Sequence, residues 1–266
     1  MDLGLSNKVA VVTGGTRGVG KACACLFAKE GAKVAICARN VERLKAVKDE
    51  IESLGAEVLA LQADVSIPAQ LKAFISSVKE RFGRIDVLVN NAGEAVRGEG
   101  ARTDEGWEDH LRQYLHSARW CCQEVSGLMK EQRSGAIINL SSVAAKRPRE
   151  ISPLGAAKAA LNNYTLGLAI EMAPYRVRVN AVCPGIFMTP HRILAPGSVG
   201  ERIARGYGMS SVEEALTRYA RENTLIGRLP EPEEVANVVV FLASERAGAL
   251  TGSYVIVDGG TLRFVL

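Results

Sequence analysis

Thr13-Gly14-Gly15-Thr16-Arg17-Gly18-Val19-Gly20 joins an apolar run to a segment of helical period, and that placement says what the glycines are for. Glycine permits a tight turn and lets a pyrophosphate approach the first turn of a helix, where backbone N–H groups and the helix dipole favour negative charge. Gly14, Thr16, Arg17, Gly18, Val19 and Gly20 are therefore candidate phosphate-cradling residues. A lone glycine pattern is weak; the strand before it and the helix after it give this one weight. A second cue lies one strand further on. Where a dinucleotide ribose is held through its 2′-hydroxyl, an acid closes the second strand of such a unit. This chain has Ala38 there, followed by Arg39. A neutral residue removes repulsion of a 2′-phosphate, and the guanidiniums of Arg39 and Arg17 suit charge-assisted bonds to it. The expected cofactor is NADP(H).

Such a turn works only between a strand and a helix, and the chain supplies both in repeating order. Short β-branched runs alternate with longer segments of helical period, the sequence form of β-α-β units and a parallel sheet. Strands are expected at 8–13, 33–37, 57–61, 86–89, 136–140, 177–183 and 254–257. Helices are expected at 18–30, 41–54, 69–82, 107–133, 153–173, 211–221 and 232–243, with Pro68 as a start signal and Gly31, Gly55 and Gly83 as stops. Residues 94–106 show no period and read as a loop. Residues 184–208, rich in Pro, Gly and Arg, read as irregular, and 186–210 suits a lid over a pocket. No repeat or linker divides the chain. Residues 1–266 are expected to form a single Rossmann-type domain, an α/β doubly wound parallel sheet of about seven strands with helices on both faces.

Beyond the glycine turn, the chain carries Asp64-Val65 after the third strand, Asn90-Asn91-Ala92-Gly93 after the fourth, Ser141-Ser142 after the fifth, Pro184-Gly185 after the sixth and Asp258-Gly259-Gly260 near the end. T-G-x-x-x-G-x-G followed by these motifs in this order resembles the short-chain dehydrogenase/reductase family over essentially the whole chain. It is similar to the NADPH-dependent 3-oxoacyl-carrier-protein reductases within that family. The resemblance implies that Asp64 and Val65 border the adenine, and that Asn91, Ala92 and Gly93 line the floor of the nucleotide groove. It further implies that Pro184, Gly185, Ile186 and Thr189 embrace the nicotinamide. Asn91 also reads as a strand-end cap.

By the same resemblance the chemistry is a proton relay. The family has an asparagine on its long fifth helix, a serine after the fifth strand, and a Tyr-x-x-x-Lys pair whose i, i+4 spacing shares one helix face. The tyrosine exchanges a proton with the substrate oxygen, and its unperturbed pKa of ~10 is what the neighbouring ammonium is there to lower. Here Lys158 holds the lysine position, but Leu154 stands where the tyrosine belongs. Leucine has no donor, and Ile151, Ser152, Pro153 and Gly155 supply no tyrosine in a shifted register. The asparagine position holds Tyr114. Ser142, Lys158 and Tyr114 are the candidate catalytic residues. Ser142 doubles as a strand-end serine that can satisfy backbone, and Lys158 is implied to bond the nicotinamide ribose. Large and small side chains have exchanged helices. Tyr114 either presents a phenol in the volume Leu154 leaves or fills it as a packed aromatic.

Composition narrows the partners. With 47% apolar and 23% charged residues in 266, the chain can bury a core. A net charge of +4 without blocks of like charge suits a small anionic ligand and argues against nucleic acid. The apolar run 9–12 is too short for a signal peptide, and no stretch reaches the ~18 residues of a membrane span, so a cytoplasmic protein is expected, with no membrane partner. The six cysteines lack metal or disulfide spacing and read mostly as small buried hydrophobes, so no metal is expected. His116 reads as structural. Arg147, Arg149, His191, Arg192, Arg202 and Arg205 read as solvated surface, or as partners for an anionic or thioester-linked substrate. Three functions stand. The first is an NADP(H)-dependent oxidoreductase of carbonyls or secondary alcohols with an atypical site. The second is a silent NADP(H)-binding subunit partnering an active paralogue, and the last a non-redox lyase or isomerase. The family resemblance implies a homotetramer or dimer through the fifth and sixth helices, with Trp120 and residues 264–266 as candidate interface; Trp120 reads equally as core.

Overall fold

Strands that are apolar on both faces need cover from both sides, and the tertiary structure provides it. The computed structural model describes residues 2–94, 98–147, 151–189, 193–195 and 197–263. Its seven strands are β1 (Val9–Thr13), β2 (Lys33–Ala38), β3 (Val58–Gln62), β4 (Val87–Asn90), β5 (Gly135–Leu140), β6 (Val177–Pro184) and β7 (Tyr254–Val257). They form one sheet in the order β3-β2-β1-β4-β5-β6-β7, every pair parallel. Chain order reverses between β1 and β4, so the crevice at the carboxyl ends of these two strands is where a doubly wound sheet binds ligands.

Alternate side chains of each strand go to opposite cores. Ala10 and Val12 of β1 pack with α1 (Gly18–Lys29), α2 (Val41–Ser53) and a C-terminal helix at Pro232–Ala243. Val9 and Val11 pack with α3 (Pro68–Phe82), α5 (Ser117–Gln132) and α6 (Pro153–Met172). All six cysteines are free, five are buried, and Cys25 is half-buried, as their reading as small hydrophobes expects. Burial pushes the thiols of Cys37 and Cys122 up to about 12. No described helix is long and apolar enough to cross a membrane.

Two expectations need correction. The helix expected at 107–133 starts earlier and is not uniform: α4 (Asp104–Leu111) runs through a π-helical turn at Arg112–His116 into α5. Thr103 starts α4 by accepting from Gly106 N–H at 3.1 Å, with Asp104 and Glu105 in the first turn, a capping signal inside the stretch taken for loop. The π turn has no glycine or proline to announce it. Ser117 N–H reaches Arg112 O, and Ser117 Oγ donates to Gln113 O at 2.6 Å. The segment taken as irregular at 184–208 contains α7 (Val199–Tyr207), capped by Ser198, whose Oγ accepts from Glu201 N–H at 3.2 Å. With α8 (Val212–Asn223) and α9 (Pro232–Ala243) completing the helices, α7 and α8 enclose a small core of their own around Ile193, Leu216, Tyr219 and Leu229. Val199, Ile203 and Tyr207, spaced i, i+4 and i+8, give α7 an apolar face that the surrounding Pro, Gly and Arg outweigh in the sequence.

Candidate active site

The carboxyl end of β1 is tied to that of β4 by one threonine and one asparagine. Thr13 Oγ1 accepts from the N–H groups of Asn91 and Ala92, each at 3.1 Å. Asn91 Nδ2 donates to Thr13 O at 2.9 Å and Gly14 O at 3.2 Å, which fixes the glycine turn against the β4 loop. A Cβ at Gly20 would overlap that amide, so the helix can start here only on glycine. Helix α1 begins at Gly18 with no side chain capping it and no acid in its first turn. Its N–H groups and positive dipole end are thus available to an anion.

A cleft of about 1770 Å³ runs from this turn along the carboxyl ends of the strands. Gly14, Thr16, Arg17, Gly18 and Val19 line it from the turn, Arg39, Asp64 and Val65 from β2 and β3, and Asn91, Ala92 and Gly93 from β4. Pro184, Gly185, Ile186 and Thr189 close the other side. Gly20 lies behind the lining, where its role is the close approach to Asn91. Asp64 is held by its own loop, Oδ1 accepting from Ser66 N–H at 2.9 Å and Ser66 Oγ–H at 2.7 Å.

The structure brings Arg17 and Arg39 together, as the sequence implies, and adds a partner that it did not. Both guanidiniums meet Oε2 of Glu94, Arg39 at 2.8 Å and Arg17 at 3.3 Å. Glu94 was placed only in a loop. The signal was an acid directly after Asn-Asn-Ala-Gly, meaningful once β4 is known to lie beside β1.

Further along the cleft, the π turn carries Tyr114 into the interior, where it is 7% exposed. Its ring packs with Leu111, Ala157 and Leu154, so the phenol ring does take space beside the leucine. A Cβ at Gly93 would overlap the same ring. The Lys158 ammonium sits 4.5 Å from the ring centroid and donates to Leu140 O. It is 7% exposed, so ring and carbonyl together replace much of its lost hydration. Ser142 Oγ accepts from Ala144 N–H at 3.1 Å and caps a short 3-10 turn, which leaves its own hydrogen to donate. Tyr114, Ser142, Lys158 and Leu154 all line the cleft.

Sequence reasoning missed His110. It sits one helical turn before Tyr114, buried, lining the cleft with its ring centroid 5.8 Å from that of the tyrosine. Nδ1 lies 2.7 Å from Gly106 O; since a carbonyl only accepts, Nδ1 carries the hydrogen and Nε2 is the nitrogen left for exchange. The signal available was a histidine spaced i, i+4 from the tyrosine.

His116 does not line the cleft; its Nδ1 is enclosed without a hydrogen-bond partner among the described residues, and burial, helped by Arg119, lowers its pKa. It stacks 5.8 Å from half-buried Trp120, in keeping with a structural reading. Arg147 and Arg202 line the cleft and Arg205 does not. Arg149, His191, Arg192 and residues 264–266 lie outside the described residues. Among the described residues no group of three or more His, Cys, Asp or Glu could hold a metal ion.

Comparison with known proteins bears on this geometry. A family model described as enoyl-(acyl carrier protein) reductase matches residues 14–261. The chain is 36% identical over 261 residues to the 3-oxoacyl-[acyl-carrier-protein] reductase FabG of Staphylococcus aureus, covering 95% of this chain and 97% of that one. It is 32% identical over 263 residues to the (2S)-[(R)-hydroxy(phenyl)methyl]succinyl-CoA dehydrogenase subunit BbsD of Thauera aromatica, covering 98% and 99%. Its fold is similar to L-sorbose reductase of Gluconobacter frateurii, solved with NADPH and L-sorbose, at a TM-score of 0.90 and 36% identity over 100% of both chains.

Proposed function

As the chain belongs to the short-chain dehydrogenase/reductase family of oxidoreductases, we propose that it is an NADPH-dependent carbonyl reductase in which Tyr114 replaces the missing tyrosine as proton donor. The residues present fit the cofactor. Arg17 and Arg39 converge on one anionic oxygen, the start of α1 offers N–H groups without a competing acid, and Gly14 and Gly18 keep the turn free of side chains. NADPH bound there supplies the hydride, which the relative solved with NADPH supports.

The observation that carries the proposal is the position of Tyr114 in the cleft wall, between Gly93 and Leu154 with the Lys158 ammonium over its ring. The phenol would give its proton to the oxygen of the reduced carbonyl, leaving a phenolate on Tyr114 and an alcohol as product. The ammonium stabilises the charge left on the ring, worth more in a partly dry site than in water. Nε2 of His110, unprotonated at the start, takes up a proton from solvent and passes it on to the Tyr114 phenolate, and Ser142 gives a hydrogen bond to the same substrate oxygen. Arg147 and Arg202 suit an anionic or thioester-linked substrate, a class to which the 3-oxoacyl and CoA names of two relatives point.

Leu154 supports a second reading, a silent cofactor-binding subunit alongside an active paralogue, and one relative is named as a subunit. Steady-state absorbance at the nicotinamide band, with the purified chain alone against ketones, diketones and 3-oxoacyl thioesters, separates the two. Turnover without a partner is expected. Tight NADPH binding with no turnover on any of them would leave the silent subunit.

A further inference from the structure

Glu94 belongs to the loop that leaves β4, yet its carboxylate ends at the far side of the glycine turn. β1 lies between β4 and β2, so the side chain reaches across the end of β1 to meet Arg17 on the turn and Arg39 beyond β2. A single oxygen, Oε2, takes both guanidiniums. That is the arrangement two arginines make around one anion, and it sits in the cleft at the place where the cofactor reading puts a 2′-phosphate.

The contact is built to be exchanged. All three side chains remain open to solvent, 34% for Arg17, 54% for Arg39 and 47% for Glu94, and exposed ion pairs hold weakly. A phosphate monoester brings close to two charges and three acceptor oxygens to the same two guanidiniums, against one carboxylate oxygen here. Phosphate therefore wins the exchange, but against a competitor that is always present at intramolecular concentration.

We infer that Glu94 is a built-in competitor for the cofactor 2′-phosphate, holding the anion position between Arg17 and Arg39 and thereby limiting how strongly this protein prefers NADPH to NADH. The inference rests on the cofactor reading above. A ligand without the 2′-phosphate leaves the ion pairs intact and gains nothing when Glu94 is neutralised. A ligand with it is relieved of the competition and of repulsion from a neighbouring carboxylate.

The test uses two probes, 2′,5′-ADP and 5′-ADP, titrated calorimetrically into the full chain and into Glu94→Gln. The wild-type protein is expected to bind 2′,5′-ADP the more tightly. Glu94→Gln is expected to tighten 2′,5′-ADP by about three- to tenfold, the size of one or two exposed ion pairs, and to leave 5′-ADP unchanged. An unchanged or weaker affinity for 2′,5′-ADP overturns the inference while the cofactor reading survives, as does an equal gain for both probes. Equal affinity of the wild-type protein for the two probes overturns the cofactor reading, and the inference with it.

Discussion

One cleft joins two regions that are made of different material. At the β1, β2 and β4 end the wall is largely backbone: a glycine turn held in place by Asn91 and Thr13, with two arginines at the rim. At the α4 and α6 end the wall is made of the functional groups of single side chains, Tyr114, Lys158 and Ser142. The first region brings the residues expected of it to one cleft wall, apart from Gly20, which lies behind the lining, and adds Glu94 to them. In the second, Tyr114 and Leu154 pack against each other from two helices, and the proposed function reads them as a large and a small side chain exchanged. A backbone site survives drift as long as its small residues stay small. A side-chain site loses its reaction with one substitution, unless another element brings an equivalent group to the same space.

The largest effect expected is therefore at Tyr114. Tyr114→Phe should lower kcat by about 10²- to 10⁴-fold, the usual worth of a positioned proton donor, with NADPH affinity and melting temperature nearly unchanged. Leu154→Tyr should not restore turnover, because a second ring would be forced into the space where Tyr114 already packs on Leu154. Parallel kinetics of His110→Phe sharpen the assignment. Full activity in Tyr114→Phe with loss in His110→Phe would move the donor from the phenol to the imidazole and undo the proposed exchange between helices.

At the other end a smaller and more selective effect is expected. Arg39→Ala should weaken NADPH by about 1.5 kcal/mol, the low end for a charged hydrogen bond since the guanidinium is 54% exposed, and leave NADH unchanged. Calorimetric titration with both cofactors measures it. An equal loss for both would mean that Arg39 supports the fold of the rim rather than the phosphate.

The smallest effect expected is none at all, and it asks whether the two regions share one core. Cys37 lies in β2 and Cys122 in α5, both in the core on one face of the sheet, and burial pushes both thiols up to about 12. Alkylation needs the thiolate, so neither should react with iodoacetamide at pH 8 in the native protein. Mass spectrometry through a urea series should show both becoming reactive together. Earlier labelling of Cys122 would show α5 opening by itself.

What could be read in advance follows the same division. The β-α alternation, the final strand at Tyr254–Val257 and the helix at Pro232–Ala243 were visible because period and stop signals are local. The π turn at Arg112–His116 was not, since it is held by Ser117 reaching back to the carbonyls of Arg112 and Gln113 and leaves the apolar pattern of a long helix intact. Helix α7 was legible in part, in the Ser198 cap and the i, i+4, i+8 spacing of Val199, Ile203 and Tyr207, but the small core that this face makes with α8 was not.

By itself the sequence determined the doubly wound class, the glycine turn, the arginine pair and a leucine four residues before Lys158, because each is a matter of residue type at a local spacing. Only the tertiary structure decided that Tyr114 turns inward to lie on Gly93 under the Lys158 ammonium, that His110 shares its cleft wall, and that Glu94 bridges the two arginines. His110 and Tyr114 are neighbours in sequence, but Lys158 of α6 and the turn and β2 that carry Arg17 and Arg39 lie far along the chain from them and from Glu94. Their distances are set by how the strands order in the sheet and how the helices pack on it, and no local pattern encodes that.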